Sequence, residues 1–159
     1  GFDMDILYHN RTSNVAAEER IGASYTSFEE LIETSDFIVC LTPLTDETRG
    51  LFNKESFKKM KKSAVFVNVS RGPVVDEDAL YQALVDGEIA AAGLDVFVKE
   101  PVSVDHPLLT LSNVVALPHI GSSSTETREN MMKLCSKNIE LILTNKQPKT
   151  LVNKEWVFQ

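Results

Sequence analysis

Three side chains of this 159-residue sequence combine useful chemistry with a suggestive placement. Arg71 stands in Ser70-Arg71-Gly72-Pro73, Glu100 directly precedes Pro101, and His119 lies in Pro118-His119-Ile120-Gly121-Ser122. Each belongs to a turn-forming segment shortly after an apolar run of strand length. The planar fork of an arginine grips a carboxylate with two parallel hydrogen bonds and polarises an adjacent carbonyl. An imidazole exchanges a proton near neutral pH. A carboxylate bonded to that imidazole fixes its orientation and favours its charged form. Anion binding coupled to proton transfer is the chemistry open to this trio, provided the fold gathers it. The other histidines, His9 and His106, read as structural or exposed.

The elements that must do the gathering are apolar runs alternating with helical patterns. The strand-like runs are Asp5–Tyr8, Phe37–Leu41, Ala64–Val69, Ala90–Phe97 and Asn113–Leu117. Helical spacing is read over Ser27–Ser35, where Ser27 and Glu30 form a capping-box pattern, and from Asn53 to about Lys61. It is read again over Asp76–Asp86, closed by Gly87, and from about Ser123 to Thr144. The lysines at 58, 59, 61 and 62 read as a solvated face, and Met131 and Met132 as core filler. Continuous apolar strands alternating with helices predict a parallel sheet covered on both faces, the doubly wound α/β class. Such folds bind ligands beyond the carboxyl ends of their strands, where the trio lies.

Composition narrows the possibilities. A formal charge of −7 argues against nucleic acid as a partner, because phosphate binding needs a basic surface. No apolar run is long enough to span a bilayer, and the first residues carry no secretory pattern. Cys40 and Cys135 lack metal-ligand spacing and read as free buried thiols in a reducing compartment, so no metal site is expected. These features predict a soluble, cytoplasmic α/β domain.

The motifs Asn68-Val-Ser-Arg71-Gly-Pro-Val-Val-Asp76, Gly93-Leu-Asp95-Val-Phe, Glu100-Pro101 and Pro118-His119-Ile-Gly121 resemble the nucleotide-binding domain of D-2-hydroxyacid dehydrogenases. Within that family the pattern is most like the glyoxylate/hydroxypyruvate reductases. The resemblance covers nearly the whole chain. It implies reduction of a small 2-keto acid with a nicotinamide cofactor, on a Rossmann-like fold. It makes Arg71, Glu100 and His119 the catalytic triad: Arg71 binds the substrate carboxylate, Glu100 orients the imidazole and His119 donates the proton. Formate dehydrogenases, similar in fold, have Gln where Glu100 stands. For the cofactor, the resemblance implies Asp95 as acceptor for the carboxamide and Thr42-Pro43, with Cys40, as the wall beside the adenosine. Val69, His119 and Gly121 fall near the nicotinamide.

The loop after the first strand bears on cofactor choice. Asn10-Arg11-Thr12 carries a cation, and no acid follows until Glu18. An acid there would accept from a ribose 2′-hydroxyl, whereas Arg11 suits a 2′-phosphate. NADP(H) is therefore preferred, with NAD(H) the alternative. The resemblance also leaves a gap, because none of the seven glycines forms the G-x-G-x-x-G turn that family members carry upstream of the segment matching Gly1–Asn10. Residues 1–121 are expected to be a partial dinucleotide-binding domain, and 122–159 a helix and tail returning towards a mostly absent substrate domain. The missing strand is expected between the runs Asp5–Tyr8 and Ala64–Val69. A homodimer is implied. Other family substrates, such as D-3-phosphoglycerate or a bulkier keto acid, stay open, as does a corepressor-like nucleotide sensor.

Overall fold

A computed structural model describes residues 2–153. They divide after His119 into two compact units.

The first unit begins with strand β1 (Ile6–Tyr8), helix α1 (Val15–Ile21) and strand β2 (Ala23–Tyr25), the two strands pairing in parallel. Asn14 starts α1 by accepting from the Ala17 amide, and Gly22 ends it at φ 68°, a left-handed backbone that glycine adopts without a Cβ clash. Both α1 and β2 escaped the sequence reading. The helix buries none of its residues and the strand is three residues long with a serine at its centre, so neither leaves an apolar run.

Helix α2 (Phe28–Thr34) leads into a second sheet, built from β3 (Phe37–Cys40), β4 (Val65–Asn68), β5 (Ala91–Leu94) and β6 (Val114–Ala116). The order is β3-β4-β5-β6 and every pair is parallel. Helix α3 (Lys54–Lys59) connects β3 to β4. A 3-10 turn (Gly72–Val74) and helix α4 (Glu77–Val85) connect β4 to β5, and a second 3-10 turn (Pro107–Thr110) precedes β6. Helix starts follow local chemistry: Ser27, Asn53 and Asp76 each accept from amides of the first turn. The box at Ser27 is half formed, since the Glu30 carboxylate accepts instead from the Thr26 hydroxyl.

Register explains the core. Ile38, Phe66, Ala92 and Val114 lie side by side across the four strands. With Cys40 and Leu94 they pack against Ile32 of α2, Phe57 of α3 and Leu80 and Leu84 of α4. Phe66 is fully buried, its ring 4.7 Å from that of Phe52 and 5.5 Å from that of Phe57. The class is the parallel, Rossmann-like α/β fold read from the sequence.

Two expectations about the sheet need correction. The run Phe37–Leu41 implied cover on both faces, yet it alternates: Ile38 and Cys40 are buried, while Phe37, Val39 and Leu41 are exposed. The gap in the strand order was expected beside Ala64–Val69. That strand, β4, is interior, with β3 on one side and β5 on the other, so the edge strands are β1 and β2 of the first sheet and β3 and β6 of the second.

The second unit contains helix α5 (Thr125–Leu143), started by the Ser124 hydroxyl on the Thr127 amide. Asn138 secures the chain beyond it, accepting from the Lys149 amide at 2.9 Å and donating to the Thr150 hydroxyl at 2.7 Å. No residue of α5 is buried. Met131 and Met132 are exposed rather than core filler, and Cys135 is an exposed thiol, unlike the buried Cys40. Residues 154–159 of the expected tail lie outside the described residues. No helix among the described residues is long and apolar enough to cross a membrane.

Candidate active site

The carboxyl ends of β4 and β5 are tied together before any ionisable group enters. Asp95 donates its amide to the Asn68 carbonyl at 3.0 Å, extending the ladder one residue past β5. Asn68 itself is buried and organises the turn that follows. Its Oδ1 accepts from the Ser70 amide at 3.0 Å and the Ser70 hydroxyl at 2.9 Å, and its Nδ2 donates to the Arg71 carbonyl at 3.2 Å. Because the Ser70 hydroxyl spends its proton on Asn68, the Cys40 thiol is the donor in the 3.3 Å contact between Cys40 and Ser70. Arg71 is therefore presented on a rigid, neutral turn. Its guanidinium is exposed, with Nη1 donating to the Ser70 carbonyl at 2.6 Å.

Gly72 is required by space rather than by backbone dihedrals. A Cβ built there would lie 2.0 Å from the Phe97 carbonyl carbon and 2.3 Å from the Val98 nitrogen. The Arg71 turn thus presses backbone to backbone on the segment that leads to Glu100.

Glu100 and His119 meet in that segment's cleft. The His119 ring bonds through Nδ1 to Glu100 Oε2 at 2.8 Å, and Glu100 Oε1 accepts from the Phe97 amide at 2.9 Å. Both carboxylate oxygens are thereby occupied. The bond from His119 is the main influence holding the Glu100 carboxyl below the usual carboxylate range, followed by the Phe97 amide, with the charge of Arg71 contributing last. Glu100 stays ionised, so the Nδ1 proton of His119 is the one donated and Nε2 faces away from the pair. His119 adopts φ 55°, a left-handed conformation uncommon for a residue with a side chain, which turns the imidazole towards Glu100. Around them is a cleft of about 480 Å³, lined by Asp95, Phe97, Pro101, Val102, Leu117 and Pro118 besides the pair.

The remaining candidate residues lie at strand ends or beyond. Val69, which follows β4, is exposed, and Asp95, after β5, is buried at the edge of the cleft. Thr42 and Pro43 follow β3, whose last residue is Cys40. Asn10, Arg11 and Thr12 form the exposed loop after β1. His9, just before them, bonds through Nδ1 to the Thr26 carbonyl at 2.9 Å and stacks on Tyr25, which is a structural arrangement. Glu47, in the loop after β3, has its carboxyl held low by the Thr45 hydroxyl and its own amide, and more weakly by the charge of Arg11. Gly121 belongs to the second unit. Asn68 and Gly72 carried no role in the sequence reading. The polar residue ending an apolar strand and the Gly-Pro after Arg71 were the available signals.

The donor set fits a nicotinamide dinucleotide at its two ends. Asp95, a buried carboxylate beside the His–Glu pair, can accept from an amide, and Arg11, a cation in the loop after β1, can pair with a phosphate. Nothing among the described residues matches a glycine-rich cradle for the pyrophosphate, and no cluster of His, Cys, Asp and Glu there is arranged to hold a metal ion.

Comparison with known proteins gives the family. The family of D-isomer specific 2-hydroxyacid dehydrogenases, NAD binding domain, matches residues 1–121. A glyoxylate/hydroxypyruvate reductase B of Enterobacter sp. (strain 638) is 54% identical over 153 residues, covering 96% of this chain and 47% of the relative. Among solved structures, the TT0316 protein of Thermus thermophilus superposes with a TM-score of 0.88 at 39% identity, over 95% of this chain and 47% of that one. The NADPH-dependent glyoxylate/hydroxypyruvate reductase of Sinorhizobium meliloti, in complex with NADP and malonate, gives 0.86 at 36% identity, over 96% of this chain and 46% of that one. The chain spans about half the length of the curated relatives it matches.

Proposed function

The chain belongs to the D-isomer-specific 2-hydroxyacid dehydrogenase family, and on that premise we propose that the protein reduces a small 2-keto acid, glyoxylate or hydroxypyruvate, to its 2-hydroxy acid with NADPH. The observation that carries this reading is the His119–Glu100 bond of 2.8 Å, within a cleft where the charge of Arg71 is also felt. A bound reduced nicotinamide supplies the hydride, which no side chain can. Arg71 holds the substrate carboxylate and polarises the neighbouring carbonyl. His119 releases its Nε2 proton to the carbonyl oxygen as that oxygen gains charge. Glu100 keeps the imidazole oriented and offsets its positive charge through Nδ1. In the reverse oxidation the same imidazole takes the hydroxyl proton.

Asp95 accepts from the carboxamide, Val69 and Gly121 lie at the nicotinamide end, and Thr42 and Pro43, with Cys40, flank the adenosine. Arg11, with Asn10 and Thr12, receives the 2′-phosphate, which an acid at that position would repel. The NADP complex of the Sinorhizobium meliloti reductase supports the same preference. Residues 122–159 lead back towards a substrate domain, and the protein works as a cytoplasmic homodimer. The test is loss of NADPH absorbance when the full-length protein meets glyoxylate, hydroxypyruvate or pyruvate. Nucleotide binding without turnover of any of the three would favour a sensor.

A further inference from the structure

The loop between β5 and the second 3-10 turn is gripped from outside the catalytic cleft, and the grip comes from one carboxylate. Glu77 is the first residue of α4, following its cap Asp76. An acid there ordinarily faces water and complements the helix dipole. Here the side chain is only 19% exposed and both oxygens are committed. Oε1 accepts from the Val98 amide at 2.8 Å, and Oε2 contacts His106 Nε2 at 3.3 Å. The His106 tautomer follows from its other nitrogen: Nδ1 accepts from the Leu108 amide at 3.3 Å, so Nε2 carries the proton and donates it to Glu77. The His106 ring also packs edge-on against Phe97, with centroids 5.4 Å apart.

Glu77 thus holds both ends of the segment 98–106, and Glu100 lies between them. The coupling to the site is short. Phe97 and Val98 are consecutive, and their amides donate to Glu100 and Glu77 respectively. The peptide carrying the Val98 amide adjoins, through the Phe97 Cα, the peptide whose amide anchors Glu100, and Glu100 in turn anchors Nδ1 of His119. The Gly72 backbone closes the third side of the same two residues.

We propose that Glu77 and His106 form a positioning pair that sets the geometry of the Glu100–His119 dyad without touching substrate or cofactor. The effect on turnover rests on the reductase reading, whereas the effect on the His119 hydrogen bond does not. In the full-length protein, Glu77→Ala lowers kcat by roughly 10- to 100-fold, the usual scale for losing a group that orients an active-site ligand or base. KM for the keto acid stays within about threefold, because Arg71 is held by its own turn. Glu77→Gln keeps an oxygen for the Val98 amide but turns its NH2 towards the His106 Nε2 proton, so it recovers part of kcat. In a Glu100→Gln background, Glu77→Ala costs less than about threefold, since the group through which it acts is already impaired. A structural role alone would give the same loss in both backgrounds, and that result overturns the proposal. The His119 Nδ1 proton, observed by 1H–15N NMR, gives a readout independent of turnover. Its hydrogen-bonded signal disappears in Glu77→Ala and is weakened in Glu77→Gln and in His106→Gln, the last a second variant should Glu77→Ala not fold. A signal unchanged in folded Glu77→Ala or His106→Gln refutes the pair's role. A wild-type protein that shows this signal but turns over no keto acid refutes the reductase reading and leaves the positioning claim standing on the variants.

Discussion

Adding one methyl group at Gly72 tests whether backbone contact, rather than charge, holds the site together. In Gly72→Ala the new Cβ meets the Phe97 carbonyl carbon at 2.0 Å and its oxygen at 2.1 Å, where ordinary contact begins at 3.4 Å. Both partners are backbone, so no flexible side chain can yield, and the two segments must separate by about 1.4 Å. The Phe97 amide is bonded to Glu100 at 2.9 Å and the Val98 amide to Glu77 at 2.8 Å. A shift of that size takes the Val98–Glu77 bond, which spans the two segments, beyond hydrogen-bonding distance. Overpacking costs about 1–3 kcal/mol and the lost bond about 1 kcal/mol more, so about 2–4 kcal/mol is expected in total. For a unit of this size that is a fall in Tm of roughly 5–15 °C. Displacing the Glu100 anchor by more than 1 Å lowers kcat by roughly 100-fold. The assay is thermal unfolding and steady-state reduction on purified full-length protein. Gly93→Ala serves as control: its Cβ would meet only the Val67 side chain, at 3.6 Å, so Tm should move little. A Gly72→Ala protein with wild-type Tm and kcat within twofold would refute the reasoning.

Glu100→Gln is expected to remove a pH-dependent part of stability. A carboxyl held below its ordinary range stabilises the fold above the unfolded pKa of about 4.3 and ceases to do so as pH falls through the lower folded value. The Tm difference between wild type and Glu100→Gln, followed from pH 3 to pH 6 or so, should therefore be present at the upper end and close at the lower. Arg11→Asp should shift the ratio of kcat/KM for NADPH over NADH towards NADH by about tenfold or more, the scale of losing one charge-assisted phosphate contact; an unchanged ratio counts against Arg11 as the phosphate ligand. Phe66→Ala should cost about 3–5 kcal/mol in denaturant unfolding, because the ring is fully buried between Phe52 and Phe57.

What could be read in advance was whatever leaves a one-dimensional trace. The strands of the second sheet are apolar runs, and α3 and α4 begin at side-chain caps that local spacing reveals. Arg71, Glu100 and His119 were visible because ionisable residues in turns after such runs are few. Features made by distance along the chain were not visible. Glu77 drew no reading from the sequence, because only the fold brings Val98 and His106 to it. Gly72 looked like half of a Gly-Pro turn, while its necessity comes from Phe97. Periodicity misled in α5, where apolar residues at helical spacing implied burial. That pattern says which side chains share a face, not whether anything covers it.

The same contrast says how the site is built. Its three reactive groups are held mainly by neutral ones: Arg71 by the Asn68 amide on its turn, Glu100 by the Phe97 amide, and both segments by the absent Cβ of Gly72. The His119–Glu100 bond is the direct tie among the three. This division follows from electrostatics. A guanidinium locked in an ion pair with a site carboxylate would offer little to an incoming carboxylate, and an imidazole bonded at both nitrogens would have no proton to give. Backbone amides and packing fix position without consuming charge, which leaves Arg71 and Nε2 of His119 as the proposed reduction requires them. Substitutions of the neutral groups should therefore act on catalysis through geometry, and those of the charged groups through binding or proton transfer. Double-mutant cycles can separate the two, because geometric losses vanish once the group being positioned is gone.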